Sequence, residues 1–371
     1  MGVLFGWGAG RVRSGMIRIA PVVSMLRAWP RVLLLVAALG GCTALPTYNT
    51  PLAPLPSASL KPDELFTMPD GAQLPVRTWL PSGPPRAVVL ALHGFNDSRD
   101  AWELPGPEFA AAGIAVYAPD QRGFGAAPGR GRWPGLLALQ SDAAASLALL
   151  RARYPGVPAY VMGESMGGAL TMTMAAGREA PADGWVLLAP AVWGRAQQGI
   201  LLSSGLWLVS TVAPGLQVTG GEVPIRVRAS DNRDALIRLA RDPLTIRRTR
   251  FDTLRGLTDL MDAAQDAAPA LPPNTLVLYG ANDTLVPPQA MARAWRHMPA
   301  AVQRGYYDGG YHLLMRDMAR DKVIGDVIGW MLNRGALPSG ADRAAAAWQS
   351  QGRGMALAGA TGWAMTHGRD P

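Results

Sequence analysis

Residues 157–170 read VPAYVMGESMGGAL. The apolar run ends at Gly163, and small and apolar residues begin directly after Ser165, which predicts a strand that turns into a helix at the serine. This is the G-x-S-x-G pattern, in which a serine hydroxyl is held exposed on a sharp strand-to-helix corner. The pattern also occurs by chance in unrelated chains. We therefore predict Ser165 as a nucleophile on the condition that the rest of the chain supplies its partners.

Buried strands alternate with helices on both sides of this corner. Continuous apolar runs predict strands buried on both faces of a sheet, and Asp70-Gly71 between two shorter runs predicts an antiparallel hairpin before them. This alternation predicts an α/β fold with a mostly parallel central sheet and helices on both faces. The apolar runs cover residues 87–92, 114–118, 185–189 and 275–279.

The alternation stops between about residues 194 and 270, where we predict an inserted helical cap. Its first part, Gly199 to Val212, has no charged residue and is too short and too polar for a membrane span. We interpret it as an apolar lid helix facing an acyl-binding pocket, with an ordinary core helix as the alternative. The second part, residues 230–264, is charged and predicts a solvated helical face.

A nucleophilic serine needs a base, and the base needs an acid that holds its tautomer. Where the serine stands on such a corner, the acid and then the histidine follow it along the chain. Three histidines follow Ser165. His312 lies in a loop between the last predicted strand and a helix, whereas His297 lies in an arginine-rich helix and His367 near the end of the chain. His312 is therefore the predicted base.

The predicted acid is Asp283, which follows the strand that ends at Tyr279. The end of a parallel strand is where ligands bind in open α/β sheets. Asp308 is the runner-up, but it lies so close to His312 in sequence that a loop-capping role is the better interpretation. Ser165, Asp283 and His312 thus form the predicted catalytic triad.

The oxyanion of a tetrahedral intermediate needs two hydrogen-bond donors. We predict the backbone N–H groups of Met166, directly after the nucleophile, and of Phe95, in the loop after the third strand. His93 is interpreted as a structural residue that braces this loop. Asp120 and Arg122, at the end of another strand, are interpreted as a loop-bracing ion pair rather than as catalytic residues.

The first 41 residues have the pattern of a secretory signal peptide. Arg27 and Arg31 precede the apolar run 32–39, and Gly40-Gly41-Cys42 follows it. Leu-Gly-Gly-Cys resembles the lipobox of bacterial lipoproteins, which implies that Cys42 carries the acyl chains of an N-terminal membrane anchor. The expected location is therefore outside the cytoplasm, on a membrane facing the periplasm or the cell exterior, with Thr43 favouring the outer membrane. Residues 42–62 are rich in Pro, Ala, Ser and Thr and predict a flexible tether.

Composition excludes several other classes of function. Five of the 35 basic residues and none of the 27 acidic residues precede Cys42, so the rest of the chain holds 30 basic and 27 acidic residues, and no nucleic-acid partner is expected. A single cysteine excludes an intrachain disulfide and a thiolate metal cluster, and four scattered histidines indicate no metal site. The catalytic domain is predicted to span residues 63–335. The Ala- and Gly-rich residues 336–371 are predicted to form a disordered tail.

Five motifs together resemble a known family, and the resemblance covers roughly residues 65–335. They are His93-Gly94-Phe95, Ala118-Pro119-Asp120-Gln121-Arg122-Gly123-Phe124-Gly125, Gly163-Glu164-Ser165-Met166-Gly167-Gly168, Leu188-Ala189-Pro190-Ala191 and Gly280-Ala281-Asn282-Asp283. This set resembles the α/β-hydrolase group of monoacylglycerol lipases, lysophospholipases and serine-aminopeptidase-like enzymes. Ser-Met-Gly-Gly is similar to the monoacylglycerol lipase branch, although Glu164 stands where that branch often has histidine.

The resemblance implies a cofactor-free serine hydrolase that cleaves carboxylic esters of single-chain lipids through an acyl-enzyme and needs no metal. A small lipid or ester is the implied substrate. A peptidase or acyltransferase on the same triad is one alternative, and a membrane-anchored binding lipoprotein on a hydrolase fold is another. The oligomeric state stays open.

Overall fold

The structure is a computed structural model that describes residues 60–177, 180–219 and 227–350. The predicted signal peptide, the predicted lipid attachment site Cys42 and nearly all of the predicted tether lie outside the described residues. So do residues 351–371 of the predicted tail.

An eight-stranded sheet forms the centre of the molecule, in the order β1-β2-β4-β3-β5-β6-β9-β10. The six strands from β4 to β10 in this order are parallel, while β1 and β2 form the antiparallel hairpin predicted around Asp70-Gly71. The predicted mostly parallel sheet is therefore confirmed. The strands are β1 Glu64–Thr67, β2 Gln73–Trp79, β3 Ala87–Leu92, β4 Ile114–Pro119, β5 Ala159–Glu164, β6 Gly184–Leu188, β9 Thr275–Gly280 and β10 Gln303–Tyr307.

Helices cover both faces of this sheet. Side chains of β3 alternate between two apolar clusters, with Val88 and Leu90 in one cluster and Ala87 and Val89 in the other, because successive residues of a strand point to opposite faces. Helices α2 and α3 pack in the first cluster, and α1 and α9 in the second. The helices are α1 Pro105–Ala111, α2 Leu136–Arg153, α3 Met166–Gly177, α4 Arg195–Gln198, α5 Ile200–Val212, α6 Arg233–Arg241, α7 Phe251–Ala267, α8 Pro288–His297, α9 Arg320–Asn333 and α10 Ala341–Ser350.

The insertion between β6 and β9 contains the helices α4 to α7. It also contains a short antiparallel pair, β7 Gln217–Thr219 and β8 Arg248–Arg250, which the sequence did not predict. The three-residue strands Gln-Val-Thr and Arg-Thr-Arg carry no apolar run, so their pairing has no signal in the sequence.

Helix α5 exposes most of its apolar side chains, and Ser210 is its one buried residue in the part of the chain that the structure describes. Ile200, Leu201 and Val212 are 83%, 89% and 75% exposed. The core-helix alternative for this segment is therefore wrong. No helix within the described ranges has the length and apolar content to cross a bilayer.

The prediction that residues 336–371 are disordered is wrong for the part that the structure describes. Helix α10 packs against β10, and Trp348 stacks on Tyr306 with 5.1 Å between ring centroids and meets Trp295 edge-on at 5.0 Å. The buried positions Ala341, Ala345 and Trp348 have the i, i+4, i+7 spacing of a helix with one apolar face. The alanine-rich composition concealed this spacing.

Candidate active site

The strand-to-helix corner at Ser165 has the geometry that its sequence predicts. Strand β5 ends at Glu164, helix α3 begins at Met166, and Ser165 between them has a φ of 55°. A left-handed conformation is uncommon for a residue with a side chain and persists only where the surroundings impose it. Here the Ser165 N–H donates to the Leu188 carbonyl at 2.9 Å, and its carbonyl accepts from Ala169 and Ala191.

The two flanking glycines are required by close backbone approach. A Cβ at Gly163 would collide with the carbonyl group of Gly167, and a Cβ at Gly167 would collide with that of Leu92 at the end of β3. Neither neighbour is a flexible side chain that could move away. The turn therefore forms only where both positions lack a side chain.

The predicted acid and base lie in two loops that the parallel strands β9 and β10 bring side by side. The Asn282 N–H donates to the Gly310 carbonyl at 2.8 Å, which joins the loop after β9 to the loop after β10. His312 Nδ1 donates to Asp283 Oδ2 at 2.8 Å, and both side chains are buried. With the Nδ1 proton held by the carboxylate, the lone pair of the neutral ring is at Nε2.

The carboxylate of Asp283 is itself held in place by the backbone. Its Oδ1 accepts the N–H groups of Leu285 at 2.8 Å and Val286 at 2.9 Å, in the turn that leads to α8. One oxygen thus orients the carboxylate and the other binds the imidazole. This arrangement matches the role of the acid in a serine triad, which fixes the tautomer of the base and stabilises its charged form.

The surroundings of His312 raise the pKa of its ring above the ordinary value of 6.5. Burial lowers this pKa, but the hydrogen-bonded carboxylate of Asp283 and the charge of Glu164 raise it by more, against a smaller opposing effect of Arg316. The imidazolium is therefore stabilised here, as a base that accepts a proton during a reaction requires.

The structure brings His312 and Asp283 into direct contact and places the ring near the corner. Within the described residues, no hydrogen bond joins the Ser165 hydroxyl to the His312 ring. Arg316, four residues after His312, donates to the carboxylate of Glu164, the residue before Ser165, which holds the histidine loop against the corner. Hydrogen bonds between nucleophile and base often become short only in the complex with substrate.

Two backbone N–H groups next to Ser165 have no acceptor in the part of the chain that the structure describes. They belong to Phe95 and Met166, the two residues predicted to form the oxyanion hole. A Cβ on Gly94 would lie 3.4 Å from the Ser165 Cβ, so the loop that carries Phe95 lies directly against the nucleophile. Two N–H groups without a protein acceptor beside a nucleophile fit an anion-binding role.

Sequence reasoning missed a buried charge cluster beside these residues. Arg316 Nη2 donates to Glu164 Oε2 at 2.5 Å and to Asp97 Oδ2 at 2.7 Å, and all three side chains are buried. Burial raises the pKa of Glu164, although the charge of Arg316 opposes this shift. Glu164 departs from the related sequence pattern, but an isolated arginine four residues after the predicted base belongs to no motif.

The interpretation of Asp120 and Arg122 as an ion pair is wrong. Asp120 pairs with Arg99 in the interior, while Arg122 binds the carboxylates of Asp142 and Asp70. These partners lie in different elements, with Asp142 in α2 and Arg99 in a short 3-10 helix, and spacing along the chain could not choose among them.

The structure supports a structural role for His93. Its Nδ1 donates to the Gly94 carbonyl at 2.8 Å, and its Nε2 accepts the Gln121 N–H at 3.0 Å, so both ring nitrogens are occupied. Asp308 and His297 are exposed, away from the buried pair. Within residues 60–177, 180–219 and 227–350, no group of three or more His, Cys, Asp or Glu side chains is placed to hold a metal ion.

Comparison with known proteins agrees with this geometry. The monoacylglycerol lipase of Mycolicibacterium smegmatis is 27% identical over 292 residues, which cover 74% of this chain and 99% of the relative. The human monoglyceride lipase is 27% identical over 278 residues, covering 72% of this chain and 89% of the relative.

Solved structures show the same fold at low sequence identity. A monoacylglycerol lipase from Paleococcus ferrophilus has a TM-score of 0.60 at 22% identity, covering 71% of this chain and 99% of that one. A soluble variant of the Saccharomyces cerevisiae monoglyceride lipase, in complex with a substrate analogue, has a TM-score of 0.61 at 19% identity. The match covers 76% of this chain and 98% of that one.

The family model described as serine aminopeptidase, S33 matches residues 83–319. This range contains β3 to β10, the corner at Ser165, the insertion and the loops of Asp283 and His312. The chain therefore belongs to the serine aminopeptidase, S33 family, and it is a serine hydrolase with the α/β-hydrolase fold.

Proposed function

We propose that the protein hydrolyses carboxylic esters of single-chain lipids, such as monoacylglycerols or lysophospholipids, with Ser165, His312 and Asp283 as its catalytic triad. The observation that carries the triad is the buried His312–Asp283 hydrogen bond beside a serine held at a φ of 55°. The substrate class rests on the relatives, several of which are monoacylglycerol lipases.

The reaction proceeds in two halves. His312 Nε2 takes the proton of the Ser165 hydroxyl as its oxygen attacks the ester carbonyl, and the N–H groups of Phe95 and Met166 bind the oxyanion that forms. His312 then gives this proton to the leaving alcohol, which departs as the acyl-enzyme forms. Water, deprotonated by His312, attacks the acyl-enzyme, and collapse of the second oxyanion releases the fatty acid and returns the proton to Ser165.

Helix α5 supports a lipid substrate, because its exposed apolar side chains suit contact with an aggregated lipid surface. We place the enzyme outside the cytoplasm, anchored to a membrane through acyl chains on Cys42, on the basis of the leader sequence. An anchored enzyme would meet its substrate in or near the lipid layer that holds it.

A substrate panel tests the proposed function. The protein is assayed for fatty acid release from monoacylglycerols of different chain length and from lysophospholipids, and for cleavage of aminoacyl amides, each beside the Ser165→Ala variant. We expect Ser165-dependent release of fatty acid and no amide cleavage. Cleavage of the amides alone would identify a peptidase, and acyl transfer to an added alcohol without net hydrolysis would identify an acyltransferase; either result would overturn the proposal.

Polar substitutions on α5 test its contact with lipid. In the double variant Ile200→Ser/Leu201→Ser we expect about 10²- to 10⁴-fold lower activity on a long-chain monoacylglycerol in vesicles, since burying each of the two side chains contributes about 1.5–3 kcal/mol. Hydrolysis of a water-soluble short-chain ester is expected to stay unchanged. The two rates are measured side by side on the wild type and the variant.

Leu80→Ser is the matched control, because Leu80 is an exposed leucine, at 53%, that directly follows β2 and lies outside the insertion that contains α5. It should leave both activities unchanged. Equal losses on vesicles and on the soluble ester in the α5 variant would show that the helix does not act through the lipid surface.

A further inference from the structure

We propose that Arg316 is a positioning residue of this hydrolase, whose single guanidinium fixes the nucleophile corner, the oxyanion loop and the histidine loop relative to one another. The proposal rests on the triad assigned above, since it explains how the corner at Ser165 and two separate loops keep their distances from one another. It assigns a role to a buried cluster of Asp97, Glu164 and Arg316 that the reaction itself does not use.

The three members of the cluster come from the three segments that carry the reacting groups. Glu164 is the last residue of β5 and directly precedes Ser165, Asp97 is two residues after Phe95, and Arg316 is four residues after His312. The contacts of Arg316 at 2.5 Å with Glu164 and 2.7 Å with Asp97 therefore cross-link the end of β5 and the two loops. The backbone of Arg316 is also held, because its N–H donates to the Leu313 carbonyl at 2.7 Å.

The arginine is needed because it balances two buried carboxylates. Both accept from the same Nη2 nitrogen, so without the guanidinium two negative charges would face each other in the interior. An unpaired buried charge is strongly destabilising, and the loops would separate or a carboxylate would take up a proton. Either response moves Phe95 or Ser165 relative to His312, and a displacement of about 1 Å can reduce the rate about 100-fold.

The cluster also acts on the base through charge. The charged groups that act on His312 are Asp283, Glu164 and Arg316; the two carboxylates raise the pKa of its ring and the guanidinium lowers it. Replacing Glu164 by glutamine removes a charge that raises this pKa. The acid limb of the profile of kcat/KM against pH, where activity rises as His312 loses its proton, should then move to lower pH. A purely structural role for Glu164 would not produce this shift.

The experiment compares Arg316→Met, Arg316→Lys, Glu164→Gln and the charge-free variant Asp97→Asn/Glu164→Met/Arg316→Met. Each is assayed for kcat and KM on a soluble ester and for its rate of labelling by a fluorophosphonate, with a thermal unfolding midpoint as the check on folding. Arg153→Met is the control, because it removes a bidentate ion pair with Glu64 that joins α2 to β1.

We expect Arg316→Met to lower kcat and the labelling rate about 100-fold with little change in KM, and Arg316→Lys to recover part of this loss. The charge-free variant should unfold near the wild-type temperature, because apolar replacement of a buried ion cluster is often neutral for stability, and yet keep the loss of rate. Arg153→Met should label at the wild-type rate.

A folded charge-free variant that labels within about twofold of the wild type would overturn the proposal. A twofold change in rate corresponds to only about 0.4 kcal/mol of activation free energy, which leaves no effect of positioning to explain. If the acid limb of the pH profile does not shift in Glu164→Gln, the proposed effect of the Glu164 charge on the pKa of His312 would be overturned. Because fluorophosphonate labelling requires no particular substrate, a wild type that labels at Ser165 but leaves monoacylglycerols intact would contradict the proposed substrate and still allow the Arg316 comparison.

Discussion

Replacing Ser165 by alanine is expected to lower ester hydrolysis by about 10⁴- to 10⁶-fold, to the level that binding and the oxyanion hole alone supply. The hydroxyl oxygen is the atom that forms the acyl-enzyme, and no neighbouring hydroxyl in the described corner could replace it. Within the described residues this hydroxyl makes no hydrogen bond, so its removal should leave the fold undisturbed. The measurement is kcat/KM on a soluble ester, beside the thermal unfolding midpoint.

Thr171→Ala is a suitable control for the loss of a hydroxyl group near the corner, because its Oγ1 donates within α3 to the Gly167 carbonyl at 2.7 Å. It should keep most of the activity. Turnover that survives undiminished in a folded Ser165→Ala variant would mean that the nucleophile lies elsewhere.

Replacing Asp283 by asparagine is expected to lower kcat by about 10⁴-fold. Asparagine can still accept the N–H groups of Leu285 and Val286 through its carbonyl oxygen, but its amide then faces His312 as a donor. His312 would then adopt the tautomer in which Nδ1 accepts from this amide and Nε2 carries the proton. Nε2 could therefore not accept the proton of Ser165.

The same change alters the pH dependence of the remaining activity. A base must be neutral to act, so kcat/KM rises with pH through the pKa of His312, which lies above its ordinary value in the wild type. Loss of the carboxylate makes the imidazolium less stable and lowers this pKa. The acid limb should therefore move to lower pH in Asp283→Asn.

Asp308→Asn is the matched control for this prediction, since Asp308 is an exposed carboxylate in the histidine loop and the second candidate for the acid. It should leave both kcat and the acid limb unchanged. If Asp308→Asn were the damaging substitution and Asp283→Asn the harmless one, the assignment of the acid would be wrong.

The parallel sheet and the corner were predictable because their signals are local. Strands such as β3 and β9 are continuous apolar runs, and the corner at Ser165 requires glycines at fixed positions. Asp283 and His312 could be chosen because each follows a strand, and the ends of parallel strands meet at one edge of the sheet.

Contacts that depend on three dimensions were not predictable in the same way. Arg99 and Arg316 choose their carboxylate partners through loops that are far apart in sequence, and nothing in the spacing identifies Asp120 or Asp97 as those partners. Helix α10 was missed for another reason: its alanines resemble a low-complexity tail, and only the packing of Trp348 on Tyr306 gives it a fixed place.

Fluorophosphonate labelling followed by peptide mass spectrometry tests the central claim most directly, because the reagent reacts only with a serine that a neighbouring base activates. The wild type should carry one phosphonyl group on Ser165, and labelling should be lost in His312→Ala as well as in Ser165→Ala. A label on another residue, or labelling of Ser165 at an unchanged rate without His312, would contradict the account.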